Sequence, residues 1–195
     1  LADRELSLEA GVTAAVSRLQ LGDDTARTRL QELRDVARQR SLTDVWAVDT
    51  FARVTFYLAF VPMLHRCYAD VDEYIDDGCK YAQDHDLGYW QSMLAGVQVL
   101  RSVDTGRWHN VTAQAQRILE SSDPAWRSRL LALICLARVK ARTGQSDAIA
   151  YLEQATELAD HDPAVAGMLM PVRAEADFLG GANPRCLPEA TGDPW

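Results

Sequence analysis

"LSLEAGVTAAVSRLQLGDD", Leu6 to Asp24, admits two readings, and the choice between them decides the fold. In one, a short helix ends at Ala10, Gly11 turns the chain, and Val12 to Gln20 is the reading helix of a DNA-binding helix-turn-helix. In the other, Leu6 to Leu21 is a single helix closed by Gly22, with Gly11 tolerated inside it at about 1 kcal/mol. The residues after Gly22 favour the second. Ala26, Leu30 and Leu33 come four, eight and eleven residues later, and Ala148, Leu152 and Ala155 stand at the same offsets after Gly144. "LGDDTARTRLQELRDVA" and "TGQSDAIAYLEQATELA" therefore share one frame, in which the glycine closes a first helix and opens a second. The would-be reading helix also carries a single cation, Arg18.

Outward from this stretch, apolar residues recur at three and four spacings as far as Gly180, without alternating β-branched runs. Breakers fall at Gly22-Asp23, Ser41, Pro62 to His65, Leu87-Gly88, Gly106, Ser122 to Pro124, Gly144, Asp162-Pro163 and Gly180-Gly181. They predict an all-α chain of about nine helices of roughly 15 to 20 residues. The intervals are regular: 38 residues from Gly106 to Gly144, 36 from Gly144 to Gly180, and 84, or two units of 42, from Gly22 to Gly106. A period near forty marks stacked helix pairs, since one pair cannot bury its apolar face alone. The middle is irregular, and "DVWAVDTFARVTFYLAFVPM" (Asp44 to Met63) is apolar nearly all round, which predicts a stack centre or a dimer contact. The expected division is a repeat domain over 1–181 and an irregular tail over 182–195, "GANPRCLPEATGDPW" from Gly181 being rich in breakers.

The clearest unit is "TGRWHNVTAQAQRILESSDP", Thr105 to Pro124, with Trp108, Val111, Ala115 and Ile118 two, five, nine and twelve residues after Gly106. This resembles the second helix of a tetratricopeptide (TPR) repeat, and the resemblance implies a right-handed superhelical stack of about four antiparallel helix pairs. "LADRELSLEAGVTAAVSRLQLGD", "DVDEYIDDGCKYAQDHDLGYW", "DTGRWHNVTAQAQRILESSDPAWRSRLLALICLARVKARTG" and "PVRAEADFLGG" together resemble the helical-repeat region of large bacterial ATP-dependent regulators of the maltose-activator type. That resemblance implies a middle segment of a LuxR-like transcriptional regulator, with the family's ATP site and DNA-binding helix outside it.

Composition narrows the classes of function. The net charge is −8 over 195 residues, and the sequence pI is about 4.9; a nucleic-acid surface usually shows a basic patch. The apolar stretch Val54 to Leu64 is too short to cross a bilayer, which needs about 20 residues. Cys67, Cys79, Cys135 and Cys186 fit neither a zinc spacing nor a CxxC pair, so buried free thiols and a cytoplasmic setting are expected. Walker A, GxGxxG and GxSxG patterns are absent from the sequence. The acidic run Asp70, Asp72, Glu73, Asp76 and Asp77 fails the calcium-loop pattern, having Ile75 and Tyr81 where glycine and glutamate are needed. It predicts a solvated face with an Asp76–Lys80 pair. His65, His85, His109 and His161 all fall near turns, as surface residues. No catalysis, cofactor or metal is expected.

The remaining candidate is a groove lined by the first helices of the pairs. The TPR register counted back from Gly144 gives Leu131, Ile134, Arg138 and Arg142, and from Gly106 gives Met93, Leu100 and Asp104. An apolar strip edged with arginine suits an extended peptide or a helix; packing against neighbouring helices would serve the same residues. The expected function is a non-catalytic interaction or sensor module for a protein, a peptide, a small effector or other domains of a parent chain, with a homodimer as a further option and no direct contact with nucleic acid or membrane. The alternative is a complete small DNA-binding regulator, and the two part at Gly11: a sharp turn there favours the regulator, an unbroken helix the repeat. An all-helical enzyme is the third class, and the sequence offers no convergent polar pocket for it.

Overall fold

The computed structural model describes residues 2–122, 124–159 and 163–180, with the backbone alone for residues 2–6 and 163–166. Among the described residues there are nine α-helices and no strand. They are α1 (Ala2–Gln20), α2 (Thr25–Arg40), α3 (Val45–Leu64), α4 (Val71–Asp84), α5 (Gly88–Asp104), α6 (Val111–Glu120), α7 (Trp126–Arg142), α8 (Ala148–Ala159) and α9 (Pro163–Leu179), with a 3-10 turn at Trp108–Asn110 before α6. The tail expected over 182–195, with Cys186, and the breaker residues Asp123, Asp162 and Gly181 lie outside the described residues, as does His161.

Gly11 does not turn the chain. It sits inside α1, where a Cβ would meet Leu33 Cδ2 of α2 at 3.5 Å, an ordinary contact. The bend comes at Gly22, whose φ is +84°. There the Gly22 amide donates to Leu19 O (3.0 Å) and the Asp23 amide to Arg18 O (3.0 Å). This is the Schellman arrangement, in which a left-handed residue returns two amides to the last helical carbonyls. Gly106 (φ +75°) and Gly144 (φ +71°) repeat it, with Arg107 donating to Ser102 O and Gln145 to Lys140 O, each at 2.9 Å. The three glycines occupy equivalent bends.

The missing break between Gly22 and Gly106 is not a glycine. Pro62 lies inside α3, and the helix ends in the same motif at Arg66 (φ +57°), with the Cys67 amide on Pro62 O at 2.8 Å. The odd-numbered helices α1, α3, α5 and α7 thus close at 22, 66, 106 and 144, intervals of 44, 40 and 38 residues. Counted from Arg66, Tyr68, Val71, Ile75 and Gly78 stand two, five, nine and twelve residues on, the offsets of Trp108, Val111, Ala115 and Ile118 after Gly106. Val71, Ile75 and Gly78 are buried, as are Val111, Ala115 and Ile118. The irregular second pair is therefore regular once arginine takes the glycine position. The end of α4 uses the motif too, at Asp86 (φ +53°).

Helices α2 and α8 bury the stripes expected of them, Ala26, Leu30 and Leu33 on α2 and Ala148, Leu152 and Ala155 on α8, and extend them with Ala37 and Ala159. Two compact units result, Leu1–Gln98 and Val99–Trp195, their boundary falling within α5. In the first, α3 is the central helix, packed by α1, α2 and α4. Phe51, Phe56 and Phe60 are fully buried, with ring centroids of Phe51 and Tyr81 4.1 Å apart and those of Phe56 and Trp90 5.9 Å apart. Gly78 lets α4 approach closely, since a Cβ there would lie 3.0 Å from both Thr55 Cγ2 and Leu94 Cδ1. In the second unit α7 is central, packed by α6, α8 and α9, and buries an unbroken run from Leu130 to Ala137. Burial corrects one step of the sequence argument. By length and composition the whole of α3 could cross a membrane, but 72% of its most apolar window is buried inside the protein.

The helix ends predict a stability pattern. Arg66 and Asp86 are exposed non-glycine residues held left-handed, a strain of roughly 1 kcal/mol each for an L-residue. Urea unfolding should show Arg66→Gly stabilising the protein by up to about 1 kcal/mol, and Gly144→Ala destabilising it by about 1–2 kcal/mol.

Candidate interaction surface

Helix α3 is buried on almost every side, so the few side chains it leaves open are informative. Apart from Val45 and Val48, these are Trp46, Asp49, Arg53, Tyr57 and Leu64. Their spacing of three, four, four and seven residues places them in one row along the helix. At its start Trp46 is 74% exposed, and Asp44 caps the helix by accepting from the Trp46 amide at 3.0 Å.

The row is held by polar partners from the other odd-numbered helices of the first unit. Glu9 of α1 accepts from the Thr50 hydroxyl (2.6 Å) and pairs with the Arg53 guanidinium. Asp49 accepts from the indole of Trp90 on α5 at 2.6 Å. Such partly buried pairs contribute little net stability but fix which side chains face each other. Arg53 and Asp49 are thereby held in place while still reaching solvent.

In the second unit the corresponding seam is more enclosed. Arg138 of α7 donates to Asp104 of α5 at 2.8 Å, and its Nε lies 3.6 Å from Glu175 of α9. Arg142 pairs with Glu175 and stacks its guanidinium 5.2 Å from the Trp108 ring, whose indole donates to Val103 O at 3.0 Å. Arginine over an aromatic face adds about 0.5–2 kcal/mol as desolvation increases. Every carboxylate here faces a guanidinium, which leaves no uncompensated charge to attract an ion.

These positions locate the residues expected to line a groove. Met93, Leu100, Leu131 and Ile134 are buried in the packing between helices. Asp104, Arg138 and Arg142 form the seam just described. The register counted from glycines pointed at α5 and α7, whereas the open row lies on α3. Arg53 stands thirteen residues before Arg66, as Leu131 does before Gly144. Had arginine been accepted as a helix-closing residue, the same register would have reached it.

Two other expectations are corrected. The acidic run is not simply a solvated face: Asp77 lies between Arg34 and Arg38 of α2, and Asp70 pairs with Arg27 at 3.2 Å. It ties α4 to α2, with Arg34 also donating to Thr55 Oγ1 at 3.0 Å and stacked between Phe51 and Tyr74. Nor are the thiols uniformly buried. Cys135 is buried, Cys79 partly so, and Cys67 is exposed. Burial, and then the charge of Asp76, pushes the Cys79 thiol up to about 11, and burial pushes Cys135 higher still. Among the described residues no three His, Cys, Asp or Glu side chains are grouped as a metal ion would require.

No family model, curated protein or solved structure matches the chain.

The thiols give a direct check of this packing. The thiolate is the reactive form, so iodoacetamide near pH 8 should label Cys67 rapidly in the native chain. Cys79 and Cys135 should label slowly until urea unfolds the protein, as resolved by peptide mass spectrometry.

Proposed function

We propose that this chain is a TPR-like interaction module that binds an extended peptide or a helix of another protein and performs no chemistry itself. The observation that carries the reading is the recurrence of one helix-closing bend at Gly22, Arg66, Gly106 and Gly144, every 38 to 44 residues. That recurrence supports helix pairs stacked as a right-handed superhelix, in which the odd-numbered helices line the inner face. The row Trp46, Asp49, Arg53 and Tyr57 is then the contact surface: an aromatic anchor, an acceptor, a donor fork and a second aromatic. Trp, Tyr and Arg are the side chains that most often dominate binding energy at interfaces. The unbroken α1 supports this reading over a DNA-reading N-terminus. The likeness of the repeats to those of maltose-activator-type regulators suggests a regulatory role in the cytoplasm, with the partner another protein or another domain of a larger regulator.

Peptide display against the immobilised protein tests the reading. Selected peptides should bind Trp46→Ala and Tyr57→Ala variants at least about tenfold more weakly, while Ile149→Ala, on α8, leaves affinity unchanged. Failure to select any peptide, or selection of peptides indifferent to both substitutions, would overturn it.

A further inference from the structure

Helix α9 carries two apolar faces, and the described residues cover one of them. Leu169, Val172 and Ala176 are buried, with α7 and α8 as the neighbouring helices. On the opposite side Gly167, Met170, Pro171, Ala174 and Phe178 succeed one another at spacings of three, one, three and four, a continuous stripe. Met170 is 47% exposed and Phe178 71% exposed. Arg173 and Asp177 stand together on one flank of this stripe, one helical turn apart, with Arg173 exposed and Asp177 half-buried.

We propose that this face is an isologous contact with a second copy of the chain, with the two α9 helices antiparallel about Ala174. The pattern is self-complementary. Met170 and Phe178 lie four residues to either side of Ala174, so a two-fold axis there sets each Met170 against the partner copy's phenylalanine. The small Ala174 at the centre permits helix axes to approach to about 8–10 Å. In an antiparallel helix pair the same flank of each helix meets itself; with the axis at Ala174, Asp177 of one copy is offset from Arg173 of the other by two residues, about 3 Å, within reach of the long arginine side chain, and the ion pair forms twice. A stripe this short buries less than a standard interface, so the dimer forms at roughly micromolar concentrations and above. It uses a face separate from the α3 row, and its test is independent of peptide binding.

Sedimentation equilibrium of the full 195-residue chain over a concentration series should show a monomer–dimer equilibrium. Phe178→Glu should be monomeric with unchanged helical circular dichroism. Arg173→Asp and Asp177→Arg should each weaken association by roughly tenfold, since each sets like charges opposite one another twice. The double variant Arg173→Asp/Asp177→Arg should restore the dimer, a recovery that a heterologous or intramolecular cover would not give. A chain that stays monomeric up to about millimolar concentration, a dimer that survives Phe178→Glu, or a charge-swapped double variant no better than the singles would each overturn the proposal.

Discussion

A helix that must reverse direction has to surrender its last carbonyls without leaving them unpaired. One residue in left-handed conformation does this, because it swings its own amide and the next one back onto the helix end. The architecture here depends on that local device. It closes α1, α3, α5 and α7, and after α1, α3 and α7 it hands the chain to a helix packed against the one before. Where the residue is glycine the conformation costs nothing sterically. Where it is Arg66 or Asp86 an exposed L-residue carries a less favourable backbone conformation. The interval between bends then sets the length of each helix pair, and with it which side chains can meet.

The resulting packing is uneven. Helices α3 and α7 are enveloped by their neighbours, and each gathers the apolar content of its unit. Besides their apolar contacts, side chains from different odd-numbered helices meet through polar groups: Glu9 with Arg53, Asp49 with Trp90, Asp104 with Arg138, Glu175 with Arg142. Ion pairs in half-buried settings lose in desolvation much of what they gain in attraction. Their contribution is to register, since a slip of one helical turn would strand a charge. The even-numbered α2 and α4 obey the same logic through Arg27–Asp70 and Arg34–Asp77. On α3 one row of aromatic and polar side chains, Trp46, Asp49, Arg53 and Tyr57, still reaches solvent.

Much of this was written in the chain. The frame after Gly22 and Gly144 foretold which residues of α2 and α8 would be buried, and the offsets after Gly106 did so for α6. The ambiguous Gly11 was resolved by the same comparison, and the structure keeps α1 whole. The open row on α3 was not foreseen: the register was counted from glycines, and even counted back from Arg66 it reaches only Arg53 among Trp46, Asp49, Arg53 and Tyr57. The apolar groove residues were chosen by position alone. Position places them facing neighbouring helices, and apolar side chains there are drawn into the core.

Sequence by itself determined the helices, their approximate number and the bends at three glycines, because periodicity and turn chemistry are local properties. It also determined which face of α2, α6 and α8 would be apolar. Tertiary structure decided the rest. It placed a left-handed residue at Arg66, whose side chain gives no local sign of the bend. It drew Asp77 and Asp70 out of an acidic run to meet α2, and it selected Trp46, Asp49, Arg53 and Tyr57 as the row that α3 leaves open. Exposure is a property of neighbours, and neighbours some forty residues away cannot be read from a helix's own sequence.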